Sequence, residues 1–240
     1  MKTIQEPTIG QIVADDYRAA QVLRSYGLDF CCGGKKTLGE ACEKKDIDVE
    51  VVKRDLSALD INESDHQNYK NWSPDFLIDY IINNHHQFVR DKVPEISFYA
   101  KKVAKVHGSR HEELNEILQE FLKLSDDLLN HLDKEEQLLF PYIKSLVELE
   151  NNQQKPEEKP SFGTVENPVA MMETEHDEAG EIMAHINKLS NSFTPPEDAC
   201  TTYRVFYQSL EGFEKDLHKH VHLENNILFP KALELEKRLN

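Results

Sequence analysis

Two stretches of this 240-residue chain repeat one pattern of chemically capable side chains. His131-Leu-Asp-Lys-Glu135 runs on to Phe140-Pro141, and His220-Val-His-Leu-Glu224 runs on to Phe229-Pro230. Both read H-x3-E-x4-F-P, at a constant offset of 89 residues. This shared phase selects Glu135 over Glu136, and His220 over His218 and His222. Residues i and i+4 lie on one helical face, so each segment can aim an imidazole and a carboxylate at one interior point. Imidazole suits iron, copper and zinc, and a carboxylate can bridge two cations.

Two more histidines complete the set. His86 lies 45 residues before His131, and His176 lies 44 before His220. His86 shares an apolar face with Ile82, Val89 and Val93, whereas His85 is rotated by about 100°. His176 shares a face with Met172, Ala179 and Met183. The expected ligands are therefore His86, His131, Glu135, His176, His220 and Glu224. They could hold two metal ions bridged by the glutamates, with open positions for water, oxo or a small ligand. Such a donor set suits a redox pair such as iron, while spacing alone leaves manganese and zinc open.

A lone His with Glu at i+4 is ordinarily a surface pair; the duplication carries the argument. His218 and His222 are also i, i+4 and are expected to be solvent-exposed, able at most to hold a surface metal. His66, His107, His111 and His185 have no phased partner and are assigned no chemistry. Asp127 and Glu175 could line a route to the metals, although such acids are more often simply solvated.

Positioning these groups requires long helices. Helices are expected near 74–107, 111–148, 166–190 and 197–238, separated by Gly108-Ser109, a polar stretch at 151–161, and Thr194-Pro195-Pro196. The result is an all-α antiparallel four-helix bundle over 74–240. Ahead of it, 1–60 reads as a small helical domain of three short helices around Asp29-Phe30-Cys31-Cys32-Gly33-Gly34. Thr8 and Asp48 cap helices, Gly27 ends one, and Thr37 with Glu40 makes a capping box. Residues 61–73 read as a linker.

Adjacent cysteines make a strained disulfide but a compact pair of soft ligands. Lys35 and Lys36 should favour thiolate, and Gly33 and Gly34 should leave both sulfurs approachable. Cys31 and Cys32 are thus expected to act in redox chemistry, thiol exchange or metal handling. Cys42 and Cys200 are expected to be packing residues.

The formal charge of −16 argues against nonspecific nucleic-acid binding and against attraction to an anionic membrane. No window resembles a membrane span, and the N-terminus lacks a hydrophobic signal core. A cytoplasmic protein without a disulfide framework is expected.

The doubled H-x3-E-x4-F-P with single histidines on the other helices resembles the hemerythrin-like family. The segments Asp29-Phe30-Cys31-Cys32-Gly33-Gly34-Lys35, Thr37-Leu38 and Asp48-Val49-Glu50-Val51 are similar to the short domain preceding that bundle in the Repair of Iron Centers family. Glu173-Thr-Glu175-His176 and Leu223-Glu224-Asn225-Asn226 extend the likeness over almost the whole chain. The resemblance implies two non-haem irons, oxo- and carboxylate-bridged, and a mobile N-terminal domain. It also implies a role in restoring iron-sulfur clusters damaged by nitric oxide or peroxide, by iron donation or nitric oxide removal. Damaged iron-sulfur proteins would be partners, and nitric oxide or dioxygen the small ligand. A homodimer through the first domain is compatible with this reading. The rival is a carrier or sensor of oxygen or nitric oxide.

Overall fold

The computed structural model describes residues 6–59, 68–156 and 160–240. Among these, the β pairing is an isolated bridge between Thr8 and Thr37, and the regular structure is helical.

Among its described residues the N-terminal segment holds four short helices rather than the expected three. Helix α1 (Ile9–Asp15) opens where Thr8 and Gln11 exchange hydrogen bonds. The expected continuous first helix breaks at Asp16, whose φ is −146° and whose carboxylate accepts the Arg18 N–H at 3.0 Å. An Asp side chain that bonds local backbone competes with helix continuation, and α2 (Ala19–Ser25) starts afresh. Gly27 ends it with φ 63°. Helix α3 (Leu38–Glu43) starts at the Thr37/Glu40 capping box, and α4 (Val49–Ser57) at Asp48, which accepts the Glu50 N–H.

Four rods follow. The first is α5 (Pro74–Ile81), a wide π turn (Ile82–His86) and α6 (Gln87–His107). The second is α7 (Glu113–Lys134), a π turn (Glu135–Leu139) and α8 (Phe140–Asn151). The third is α9 (Glu166–Leu189), and the fourth α10 (Thr201–Leu223), a π turn (Glu224–Leu228) and α11 (Phe229–Leu239). Helix α6 packs on α7 and α10, α9 packs on the same two, and α5 and α11 both meet α8. This is the pairing of an antiparallel four-helix bundle. None of the described helices is long and apolar enough to cross a membrane.

Of the expected linker 61–73, residues 61–67 lie outside the described residues, as does His66. Tyr69–Asn71 forms a 3-10 turn, Tyr69 is buried, and Trp72 packs edge-on against Tyr69 and Tyr80. This end of the segment is part of the packed structure.

The N-terminal segment is seated against the fourth rod. Asn226 Nδ2 donates to the carbonyls of Phe30 (3.2 Å) and Cys31 (3.3 Å). Lys35 pairs with Glu173 on α9 at 2.7 Å. Gly10 permits this approach: a Cβ there would lie 2.0 Å from Asn226 Oδ1.

Candidate metal centre

The bundle brings all six expected ligands together. His86, Glu135, His220 and Glu224 offer donor atoms within 4.8 Å of one another, and so do His131, Glu135, His176 and Glu224. The two sets share both glutamates. The six residues are at most 3% exposed. His131 Nε2 and His176 Nε2 approach to 3.0 Å, and His220 Nε2 lies 3.0 Å from Glu224 Oε1. His86 Nε2 and His131 Nε2 each stand 3.4 Å from Glu135 Oε2 without hydrogen-bond geometry.

Three of the four rods interrupt their α-helix at this level. The N–H of Gln87, Phe140 and Phe229 bonds five residues back, to the carbonyls of Ile82, Glu135 and Glu224. Such π turns occur often at functional sites. Two of them run directly into Phe-Pro. Pro141 and Pro230 lack an N–H, and their rings crowd the carbonyl four residues back. A wider turn beforehand relieves that crowding, which explains why both H-x3-E segments end alike. Continuous helices over these positions, as the spacing suggested, are thereby corrected.

The outer ring nitrogens are held in turn. His86 Nδ1 lies 2.8 Å from Glu136 Oε1, His131 Nδ1 2.8 Å from Glu175 Oε2, and His176 Nδ1 2.8 Å from Asn225 Oδ1. An acceptor at Nδ1 fixes the ring and leaves the Nε2 lone pair for the interior. His220 Nδ1 lacks such a partner; instead His85 stacks on its ring at 5.7 Å and 6°. Spacing gives no sign of these supports as a class. Each holding residue adjoins a ligand in sequence: Glu136 follows Glu135, Glu175 precedes His176, and Asn225 follows Glu224. Glu175 also pairs with Lys134, and with Asp127 both line a cleft of about 480 Å³ that reaches His131 and His176.

The electrostatics describe a site short of positive charge. Burial pushes His86 down, but the carboxylates of Glu135 and Glu224 beside it outweigh burial and raise the imidazole to about 10. His131 likewise resists burial, through Glu135, Glu175 and Glu224, and is raised to about 10. Burial and mutual repulsion act against Glu135 and Glu224, yet the histidines hold both below the usual carboxylate range. Both oxygens of Glu135, Oε2 of Glu224 and Nε2 of His86 have no hydrogen-bond partner. Buried polar atoms left in that state cost roughly 1–3 kcal/mol each. Cations bound among these O and N donors would remove that cost, so the residues fit a pair of metal ions.

Other expectations change. His85 turns from the site, as expected, and its Nδ1 meets Asp216 at 2.9 Å. His218 and His222 are not solvent-exposed. His222 is buried beside Phe30 and Tyr17, and burial lowers it to about 3; burial and the Arg24 charge lower His218 to about 4. These histidines lie under the N-terminal segment, which helical spacing does not reveal. His107 contacts Cys200, His111 pairs with Asp198 and His185 with Glu116, all away from the cluster. Cys42 is buried as expected, whereas Cys200 is exposed. Cys31 is buried too, so only Cys32 keeps partial access. Lys35 is engaged by Glu173, and the Cys31 thiol is raised by its hydrogen bond to Cys32, by burial and by Asp29. At Cys31 the thiol, not the expected thiolate, is therefore favoured.

Two buried groups of histidines that share a pair of glutamates, inside four antiparallel rods, define a hemerythrin-like cation-binding bundle. Residues 77–232 match the family model of the hemerythrin HHE cation binding domain, and residues 5–60 match ScdA_N, a domain of unknown function. Proteins described as iron-sulfur cluster repair protein YtfE, from Escherichia coli (strain K12 / DH10B) and Shigella boydii serotype 4 (strain Sb227), are similar throughout. Each is 35% identical over 233 residues, covering 95% of this chain and 97% of the relative. The chain belongs to this family of iron-sulfur cluster repair proteins, in which an ScdA_N segment precedes a hemerythrin-like bundle.

Proposed function

We propose that the chain repairs iron-sulfur clusters damaged by oxidative and nitrosative stress, using two iron ions held in the bundle. The observation that carries this reading is the pair of four-residue donor sets sharing Glu135 and Glu224. One iron would be held by His86 and His220 and the other by His131 and His176, with Glu135 and Glu224 available to both. When bound, the irons would supply a redox couple, open positions for nitric oxide or dioxygen, and a store of transferable metal.

The chain's own residues set the conditions. Glu136, Glu175 and Asn225 hold three imidazoles in the orientation that leaves Nε2 facing inward. The Phe140 ring stacks on His86 and the Phe229 ring on His176, so apolar surface backs two of the imidazoles. Glu175, shared between His131 and Lys134, stands at the cleft through which an ion or small ligand reaches the site. A mixed set of histidine and carboxylate donors leaves open positions and need not be the tightest iron site available, which suits a protein that gives iron away. The recipients are damaged iron-sulfur proteins, and the setting is the cytoplasm, with 1–60 and 74–240 acting as separate domains.

The test loads the protein with labelled iron and mixes it anaerobically with an iron-sulfur enzyme inactivated by nitric oxide. Two irons per chain, label in the recovered cluster and restored enzyme activity are expected. Equal recovery with a His131→Ala, His176→Ala variant that holds less iron overturns the reading.

A further inference from the structure

The N-terminal segment gathers a second set of cation-binding atoms, chemically unlike the first. Asp29, Cys31 and Cys32 each offer a donor atom within 4.8 Å of the others. Cys31 Sγ stands 3.1 Å from Asp29 Oδ1 and 3.9 Å from Cys32 Sγ. Two thiolates on one tetrahedral ion, with metal–sulfur bonds of ~2.3 Å, stand roughly 3.8 Å apart. The loop therefore already holds the sulfurs at the separation that a shared ion requires.

The loop is also built to keep its carboxylate in place. Asp29 Oδ1 accepts the N–H of Cys31 (3.0 Å) and of Cys32 (3.1 Å), and Oδ2 accepts that of Gly33 (2.9 Å). A Cβ on Gly33 would lie 2.6 Å from the Asp29 carbonyl oxygen, so the tight return needs glycine there. The trio borders a cleft of about 860 Å³ whose walls include Asp177, Glu181 and Glu214 as well as Arg24, Lys36 and Lys45. An ion has an open approach and space for water or a fourth donor. Cys32 Sγ lies 3.4 Å from the carbonyl oxygen of His176, and Gly180 leaves room for it.

We infer that Asp29, Cys31 and Cys32 form a thiolate–carboxylate site for a borderline-soft divalent transition-metal cation of the zinc, cobalt or ferrous-iron type. Magnesium and calcium are disfavoured because they take oxygen ligands, whereas two of these three donors are sulfur. Binding moves the thiol protons to solvent, so occupancy falls in acid. Burial and the adjacent sulfur and carboxylate, which hold the Cys31 proton in the metal-free loop, become favourable contacts once a cation sits among them. This site is independent of the reading given for the bundle.

The test uses the full chain, its bundle site filled with iron, titrated anaerobically with Co(II). One additional ion per chain and a thiolate-to-cobalt charge-transfer band are expected. Cys32→Ala should abolish both, and Asp29→Asn should weaken binding at least tenfold. Cys32 is partly exposed, so an unchanged iron content and circular dichroism spectrum in Cys32→Ala show that the fold persists. Absence of the extra ion, or the same band in Cys32→Ala, overturns the proposal. The bundle cluster contains no sulfur, so the band distinguishes the two sites even if the bundle lacks iron.

Discussion

Two levels of the same bundle interior obey different rules. At the end formed by α6, α7, α9 and α10 away from the cluster, Ile117, Phe121, Phe206, Leu210 and Phe213 are buried, and the helices there run uninterrupted. Phe121 and Phe213 meet edge to face at 5.5 Å. That layer needs nothing but apolar area and close packing. At the other level, four imidazoles and two carboxylates replace the apolar layer, and three of the four rods open into π turns. The difference teaches that this chain places stability and chemistry in adjacent layers, with the apolar layers holding the rods that aim the polar one.

The largest expected effect breaks the comparison most directly. Glu135→Ala removes a donor common to both four-residue sets, and metal content should fall from two ions to fewer than one per chain. Phe121→Ala should keep the metal while losing about 3–5 kcal/mol of stability, as large buried aromatics do. Elemental analysis and denaturant titration on both variants check this; a full metal complement in Glu135→Ala would refute the shared bridge.

Removing Glu136 from His86 tests the supporting layer. Glu136→Gln should weaken metal binding by roughly 10–100-fold, the usual cost of losing a partner behind a ligating histidine. Competition with a chelator measures it, and an unchanged affinity would mean that packing alone orients His86.

The raised values of His86 and His131 sharpen the contrast with pH. In the metal-free chain both imidazoles stay protonated beyond the point at which an unfolded histidine loses its proton, near 6.5. Their stabilisation is complete below 6.5 and is lost as pH climbs to about 10. Melting temperature of the chelated protein should fall across that window, while the loaded protein stays level and melts higher at every pH. Metal uptake at neutral pH should release protons and strengthen as pH rises.

The smallest effect concerns the seat of the N-terminal segment. His218 and His222 are lowered to about 4 and about 3, so they contribute while neutral, and that contribution fades as pH falls from 6.5 toward 4. Proteolysis of the N-terminal segment should therefore quicken on mild acidification, and Gly10→Ala should quicken it already at neutral pH. Equal rates in all cases would mean that the seat is held by other contacts.

Much of this molecule is legible in its amino-acid order alone. The duplicated spacing picks out His131, Glu135, His220 and Glu224 from 11 histidines and 44 acids, because helical periodicity ties i to i+4. The same logic separates His86 from His85. Periodicity does not reveal the π turns, although Phe-Pro is their visible trace. Nor does it reveal that His222 lies beneath Phe30, since that burial comes from residues far away along the chain. The cysteine loop shows the same limit: two nearby lysines suggest thiolate, but Lys35 is occupied by Glu173, and the hydrogen bond to Cys32 together with burial raises the Cys31 thiol.

Local pattern therefore determined the types of the candidate ligands, their helical faces, the caps at Thr8, Thr37 and Asp48, and the class of fold. These depend on interactions within a few residues, where backbone geometry leaves few choices. Tertiary structure alone decided that one pair of glutamates serves both histidine pairs, that three supporting acceptors stand behind the rings, and that the cysteine loop rests on α9 beside His176. Those outcomes depend on how separate rods pack, and packing is set by the whole interior at once.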